Sequence, residues 1–499
     1  MSTVRKILSN TMWQILGKAV VAILAVVVIK IVTNYLSVAG YGEYAVVYEF
    51  LAFFGIAADM GLFTIAVREM SKDDSQIPKI IGNILSLRTV LVITTVTIGV
   101  IASFLVPKYS GTRIPIGVTI AALTTFFTIL NGTISAVLQT KLKMHIASMA
   151  QIVGKVAQVS YMIYIIFYAF PAGVGQEATD VGFYHLIFAG VIGNLIMLLI
   201  TQHFVRKITP IVYQFDFQLW KKVFLTALPF GVALILNTIY FRIDSILISL
   251  IQGQTEVGIY AVAMRVLEAF AIIPLYFMNS VLPILTRALK DNMQKARTII
   301  SYSFDFLAAI SFPMLVGAFI LAYPIVFIVS TPEFLSRISE GFYGSDIALQ
   351  ILMFALVFQF LSTLFAFILI AVNKQSKLLY VNAAGVLLNI TGNLIVIPIY
   401  GFVGAAITSV ISQAFIFTIN AAVAYKYVKY RLNPLTTFKI IFSSIVMGIA
   451  VKGLQPYSYA LAQNAGVFIL VVLGGLIYAS LLILTKAVDK NMLALIRRK

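Results

Sequence analysis

Apolar runs long enough to cross a lipid bilayer, which takes about 20 helical residues, recur along this chain from one end to the other with only short polar breaks. Fourteen such spans can be marked between residues 11 and 485, each continuous and without the alternation that membrane barrel strands require. That pattern leaves no room for a soluble domain. Charge is correspondingly scarce, with 11% of residues ionised and a mean hydropathy of +1.00, whereas about a quarter of residues are charged in soluble domains. The expectation is an all-α polytopic membrane protein of about 14 transmembrane helices.

The net charge of +18 does not point to nucleic acid, because its distribution follows topology. With the N-terminus in the cytoplasm, 26 of the 36 Lys and Arg fall in cytoplasmic segments, 3 outside (Lys108, Arg113 and Arg337) and 7 within spans. This is the positive-inside rule. It places both termini in the cytoplasm of a multi-pass protein of the cell membrane and suits anionic lipid headgroups at the basic face. The chain has no cysteine, which excludes disulfides and thiolate chemistry. Its three histidines (His145, His185 and His203) form no metal-binding spacing.

Two short echoes mark an internal repeat. YGEYAV at 41–46, entering the second span, returns as VGIYAV at 257–262, entering the eighth; Val181-Gly182, entering the sixth, returns as Val403-Gly404, entering the twelfth. Both echoes are six spans apart, an even number, so the halves share an orientation, as in transporters built from parallel repeats. The expected organisation is an N-terminal lobe over 1–210 (spans 1–6), a C-terminal lobe over 211–430 (spans 7–12) and two additional helices over 431–499. RKITPIVYQFDFQLWKK (206–222) would join the lobes.

Twelve ionisable residues lie within the spans, and each costs at least about 2.5–3.5 kcal/mol at a helix centre, so they should mark a polar pathway between the lobes. Lys30, Glu49, Asp305 and Lys452 lie near span ends and are expected to snorkel to the interface. Lys18, Asp59, Arg88 and Lys155 stand about 12 Å deep and could share a layer, with Asn10, Gln14 and Lys18 forming one stripe on the first helix. Lys18 or Arg88 would either neutralise Asp59 in a buried pair or meet cargo. Arg242 and Asp244 point about 200° apart on one helix and cannot simply be each other's partner. Arg265 and Glu268, at i and i+3, can pair with each other or with Asp244 and Arg242. The expected cavity residues are therefore Lys18, Asp59, Arg88, Arg242, Asp244, Arg265 and Glu268. The first six spans carry an excess of two positive charges, which suits a phosphate-bearing cargo.

LSVAGYGEYAVVYEFLAFFGIAADMGLFTIAVRE (36–69) resembles the N-terminal signature of the polysaccharide-biosynthesis proteins, oligosaccharide flippases of the multidrug/oligosaccharidyl-lipid/polysaccharide (MOP) exporter superfamily. The matching residues are Leu36, Gly42, Tyr44, Asp59, Gly61, Leu62 and Arg68. RIDSILIS, EVGIYAVAMRVLEAFAIIP, VLPILTR and EGFYGSDIALQIL are similar to the family's later segments. The resemblance implies a non-enzymatic transporter that moves a polyisoprenyl-diphosphate-linked oligosaccharide to the outer leaflet by alternating access, for surface polysaccharide or glycoprotein assembly. It implies a monomer with no cofactor beyond a coupling ion, working beside glycan-assembly proteins. AMRVLE also looks like the eighth-helix segment of lipid II flippases, whose arginine and glutamate line the cavity; Arg265 and Glu268 would take those places. That branch carries an arginine where this chain has Gln14, with Lys18 one turn on, which favours a cargo other than the peptidoglycan precursor. The rival readings are an ion-coupled multidrug exporter of the same superfamily and, more remotely, a membrane-embedded glycan polymerase or glycosyltransferase.

Overall fold

The computed structural model describes residues 3–171 and 175–487. Both chain ends therefore lie outside the described residues, as does the side chain of Asn10 in the expected stripe on the first helix. The chain forms two compact units, Met1–Gly258 and Ile259–Lys499.

The first unit contains α1 (Thr3–Tyr35), α2 (Val38–Asp59), α3 (Leu62–Met70), α4 (Ile77–Leu105), α5 (Ile114–Thr140), α6 (Met144–Tyr164), α7 (Gln176–Arg206) and α8 (Phe217–Ile251). α2 and α3 are one membrane span broken midway, where Met60 and Gly61 both adopt left-handed backbone. Within this unit α2 touches α4, α5 and α8, while α7 bridges α5 and α6, and α6 carries α1. The seventh span, α8, thus packs with the first six. Its start is fixed by Asp216, whose carboxylate accepts from the Leu219 amide at 3.0 Å. That bond, helped by the nearby Lys79 ammonium, holds the Asp216 carboxyl below its usual range against the opposing effect of burial. Glycines allow a close crossing of α6 and α7: a Cβ on Gly154 would stand 2.5 Å from the Gly193 carbonyl oxygen. Small residues let membrane helices approach to backbone contact, where dispersion replaces the missing hydrophobic drive.

α9 (Gln254–Ala271) spans the division between the units and runs, after a break at Ile272, into α10 (Ile273–Asp291) as one span. The second unit continues with α11 (Met293–Val329), α12 (Ser345–Ala371), α13 (Gln375–Val428), α14 (Pro434–Ala462) and α15 (Gly466–Leu484). Here α12 lies between α11 and α13, and α14 with α15 packs on α11. The second span and the eighth, six apart, are both divided midway.

Among the described residues thirteen helical stretches are long and apolar enough to cross a membrane. One of them, α13, has 54 residues, about 80 Å of helix and far more than one crossing needs. Gly401 breaks it with φ 55° and ψ −140°, a backbone region essentially restricted to glycine. α13 therefore supplies the eleventh and twelfth crossings, and the fourteen expected from the sequence are present.

Candidate functional site

Among the described residues three carboxylates of α2, Glu43, Glu49 and Asp59, hold arginines. Glu49 stands ten residues before Asp59, about 15 Å along the helix, and each carboxylate holds an arginine from a different neighbour.

Asp59 is the last residue of α2, and the left-handed turn that follows exposes the helix's C-terminal carbonyls in mid-span. A carboxylate at that position adds to the negative end of the helix dipole, so a cation there is strongly favoured. Arg88 of α4 provides it, its Nη2 donating to Asp59 Oδ1, while Asp59 Oδ2 accepts from the Gly61 amide at 3.4 Å. Gly132 of α5 faces the guanidinium, a Cβ there falling at ordinary contact distance, 3.9 Å, from Arg88 Nη1. Arg88 is only 2% exposed and Asp59 28%. The Arg88 Nε and Nη1 atoms are buried without a hydrogen-bond partner. Buried donors are nearly always satisfied, so the guanidinium has unused capacity for an oxygen ligand.

The second pair has the opposite orientation. Arg242 of α8 donates from Nη1 to Glu49 Oε1 at 2.8 Å and Oε2 at 2.6 Å. Here the carboxylate is the buried member, at 6%, and the arginine the open one, at 26%. Glu49 therefore does not snorkel, contrary to the expectation from its position near a span end; a neighbouring cation makes burial tolerable. Asp244, two residues beyond Arg242, is 2% exposed, so α8 carries charge on two sides. Further along α8, Ser249 donates to the Tyr109 hydroxyl at 3.2 Å.

At the α2 start, Arg113 donates from Nε to Glu43 at 2.5 Å and from Nη1 to Asp180 at 3.0 Å. Its guanidinium lies 4.5 Å from the Phe183 ring centroid, which ties together the beginnings of α2, α5 and α7.

Lys18 is exposed on α1. Gly17 lies against Ser148 of α6, so Lys155, seven residues past Ser148, stands about 10 Å further along, where it donates to Gln158 at 2.9 Å. Lys18 and Lys155 are thus not in one layer. With α8 included, the first unit holds five cations (Lys18, Lys30, Arg88, Lys155 and Arg242) and three carboxylates (Glu49, Asp59 and Asp244) within its spans, keeping an excess of two positive charges.

In the second unit Arg265 and Glu268 pair along α9 at 2.8 Å, each about a quarter exposed. Lys452 is exposed, in keeping with an interfacial position. Asp305, expected at the interface, is instead 5% exposed, its Oδ1 without a hydrogen-bond partner. A buried amide stripe runs along α13, where Asn393 donates to Asn389 at 3.2 Å and Asn420 donates to Ser362 of α12 at 3.2 Å. Reading charges alone passes over this stripe, although the i, i+4 spacing of Asn389 and Asn393 is visible in the sequence.

A family model described as polysaccharide biosynthesis protein matches residues 7–289, and a second, MatE, matches 229–395. No curated protein matches in sequence. Among solved structures the chain is similar to the lipid II flippase MurJ in an inward closed conformation, with a TM-score of 0.70 at 14% identity over 95% of this chain and 98% of that one. It is also similar to an inward-facing multidrug resistance MATE family transporter of the MOP superfamily, with a TM-score of 0.64 at 13% identity over 82% and 94%. A third likeness is to a MOP superfamily transporter from Pyrococcus furiosus, described by the reverse polarity of its binding pocket, with a TM-score of 0.54 at 15% identity over 85% and 94%. At these identities the likeness is one of fold.

Proposed function

The chain belongs to the polysaccharide biosynthesis protein family, whose model covers more than half of it, and from that premise we propose that it flips a polyisoprenyl-diphosphate-linked oligosaccharide across the cell membrane by alternating access. Both termini would face the cytoplasm, and the cargo would travel to the outer leaflet for surface polysaccharide or glycoprotein assembly.

The observation that carries this reading is the Arg88 guanidinium, held by Asp59 through one nitrogen with two further donor atoms unused. A diphosphate offers several anionic oxygens where Asp59 offers two, and guanidinium binds such oxygens through paired N–H groups. Cargo arriving at the open Asp59 side would compete for Arg88 and draw on its unused donors. The excess of two positive charges across the spans of the first unit acts in the same direction, as does the exposed Lys18. Arg242, the open member of its pair, would contact the head group at another depth, and in the second unit Arg265 is a candidate cargo contact in its own right. The glycan carries no requirement for burial of its own, and the polyisoprenyl tail stays in lipid.

The MatE match and the MATE likenesses favour a second reading, an ion-coupled exporter of small organic cations. A cation-rich first unit repels such substrates, which makes it the weaker one.

Flipping of a fluorescent polyisoprenyl-diphosphate glycan in reconstituted vesicles tests the proposal. Arg88→Gln should slow it roughly tenfold or more, since a hydrogen bond to a charged group contributes about 1.5–3 kcal/mol. The Asp59→Asn, Arg88→Gln double variant keeps the buried site neutral and should fold yet remain slow. Wild-type flipping by that double variant, or export of a cationic dye without any lipid flipping, would defeat the reading.

A further inference from the structure

At the basic end of the first unit a cavity of about 340 Å³ opens between α3, the start of α4 and the start of α8. Its rim carries Arg68, Lys72, Lys79 and Lys222, with Glu69 as the carboxylate among the lining residues. Glu69 is shared, accepting from Arg68 at 3.0 Å and from Lys72 at 2.7 Å. Lys79 lies 3.6 Å from Asp216, just outside the cavity. Lys222 is exposed on the second turn of α8 and has no carboxylate partner among the described residues. Counting Asp216 as well as Glu69 against four cations leaves an excess of two positive charges.

The floor is different in kind. Ile80 and Leu219 line it as partly buried side chains, backed by the buried Ile84 and Val223 of the apolar core at this end of the unit. A soluble anion would satisfy the rim and leave this aliphatic surface wet. A phosphate carried on an acyl chain would satisfy both, because clustered Lys and Arg attract anionic headgroups while the aliphatic floor accepts the first methylenes.

We propose that this cavity binds the headgroup of an anionic membrane phospholipid, the phosphate meeting Lys222 and Lys72 and the proximal acyl segment lying on Ile80 and Leu219. The site is separate from the Asp59–Arg88 and Glu49–Arg242 pairs, and its occupation does not depend on what the protein transports. Because Glu69 holds Arg68 and Lys72, a bound phosphate would compete with it for Lys72, and Lys222 is the cation most available to the lipid.

The test is direct lipid binding by the full chain purified in neutral detergent, read by native mass spectrometry with phosphatidylglycerol, phosphatidylcholine and inorganic phosphate as separate probes. The expected result is retention of phosphatidylglycerol in preference to phosphatidylcholine, with the preference falling roughly fivefold for each lysine removed in Lys72→Gln and Lys222→Gln. Both lysines are exposed, so the variants should fold, and Lys72→Arg with Lys222→Arg should retain the preference. Lys290→Gln with Lys377→Gln, basic positions outside the cavity, should leave it unchanged. Equal retention of the two lipids would overturn the proposal, as would an equal loss in the Lys290, Lys377 control. Displacement of phosphatidylglycerol by millimolar inorganic phosphate would assign the rim to a soluble anion instead.

Discussion

Arg242 covers Glu49, donating from a single nitrogen to both carboxylate oxygens, so that the acid is buried and the base reaches the open side. The two residues are 193 positions apart, and the bond fastens α8 to α2. Removing either partner leaves a charge behind, but not the same one. Arg242→Ala takes the guanidinium from a carboxylate at 6% exposure, whereas Glu49→Ala takes the carboxylate from a guanidinium at 26% that water can reach. Breaking a buried pair costs about 3–5 kcal/mol. Arg242→Ala should fall within that range, and Glu49→Ala below it. Thermal unfolding of the purified protein in detergent checks the order, and equal losses would show that the two sides are equally wet.

Arg265 and Glu268 pair on one helix, which allows structure and cargo binding to be separated. If Arg265 contacts diphosphate, Arg265→Ala should abolish flipping, and Ala at both 265 and 268 should not restore it. Recovery in the double variant would reduce the pair to mutual charge neutralisation.

The proposed orientation places the segment before α12 outside. Ser336 is a poor reporter there, since it donates from its amide and hydroxyl to Asp346 and accepts from the Gly344 amide. Ser339 is exposed. In this cysteine-free chain Ser339→Cys should react with an impermeant thiol reagent on intact cells, while Ser376→Cys, exposed in the first turn of α13, should react only after lysis. The reverse pattern would invert the topology.

Gly154→Val should lower the yield of folded protein, because its Cβ would meet the Gly193 carbonyl oxygen at 2.5 Å; overpacking of this kind costs about 1–3 kcal/mol. Gly453→Ala is the contrast. Nothing lies within 4 Å of its Cβ position, and Ala favours helix over Gly by about 1 kcal/mol. Melting temperatures that move together in the two variants would remove close packing as the explanation.

The crossings are legible in the sequence because each is a local property of composition and length. The count of fourteen holds although α13 is unbroken by any polar residue at its turn, since the apolar run there is twice too long for one passage. The Arg265–Glu268 pair is legible for the same reason: its partners are three residues apart on one helix. Asp59 with Arg88 was one of two open pairings, and depth along the spans brought Arg88 to the same level. Glu49 with Arg242 is another matter. Distance from a span end says how deep a carboxylate lies but not which neighbouring helix faces it, and only the packing of α8 on α2 separates a buried pair from a snorkelling side chain. Asp305 was misjudged through the same gap, its burial arising from the helices packed on α11.

Gly401 joins two full crossings without a loop. Connections elsewhere offer stretches of chain that a protease can cleave or an antibody can grasp, whereas this one consists of a single residue whose backbone no other amino acid readily adopts. Ile399 and Tyr400 stand exposed beside it, and an epitope tag or an insertion placed there would separate the two halves of α13 into independent crossings.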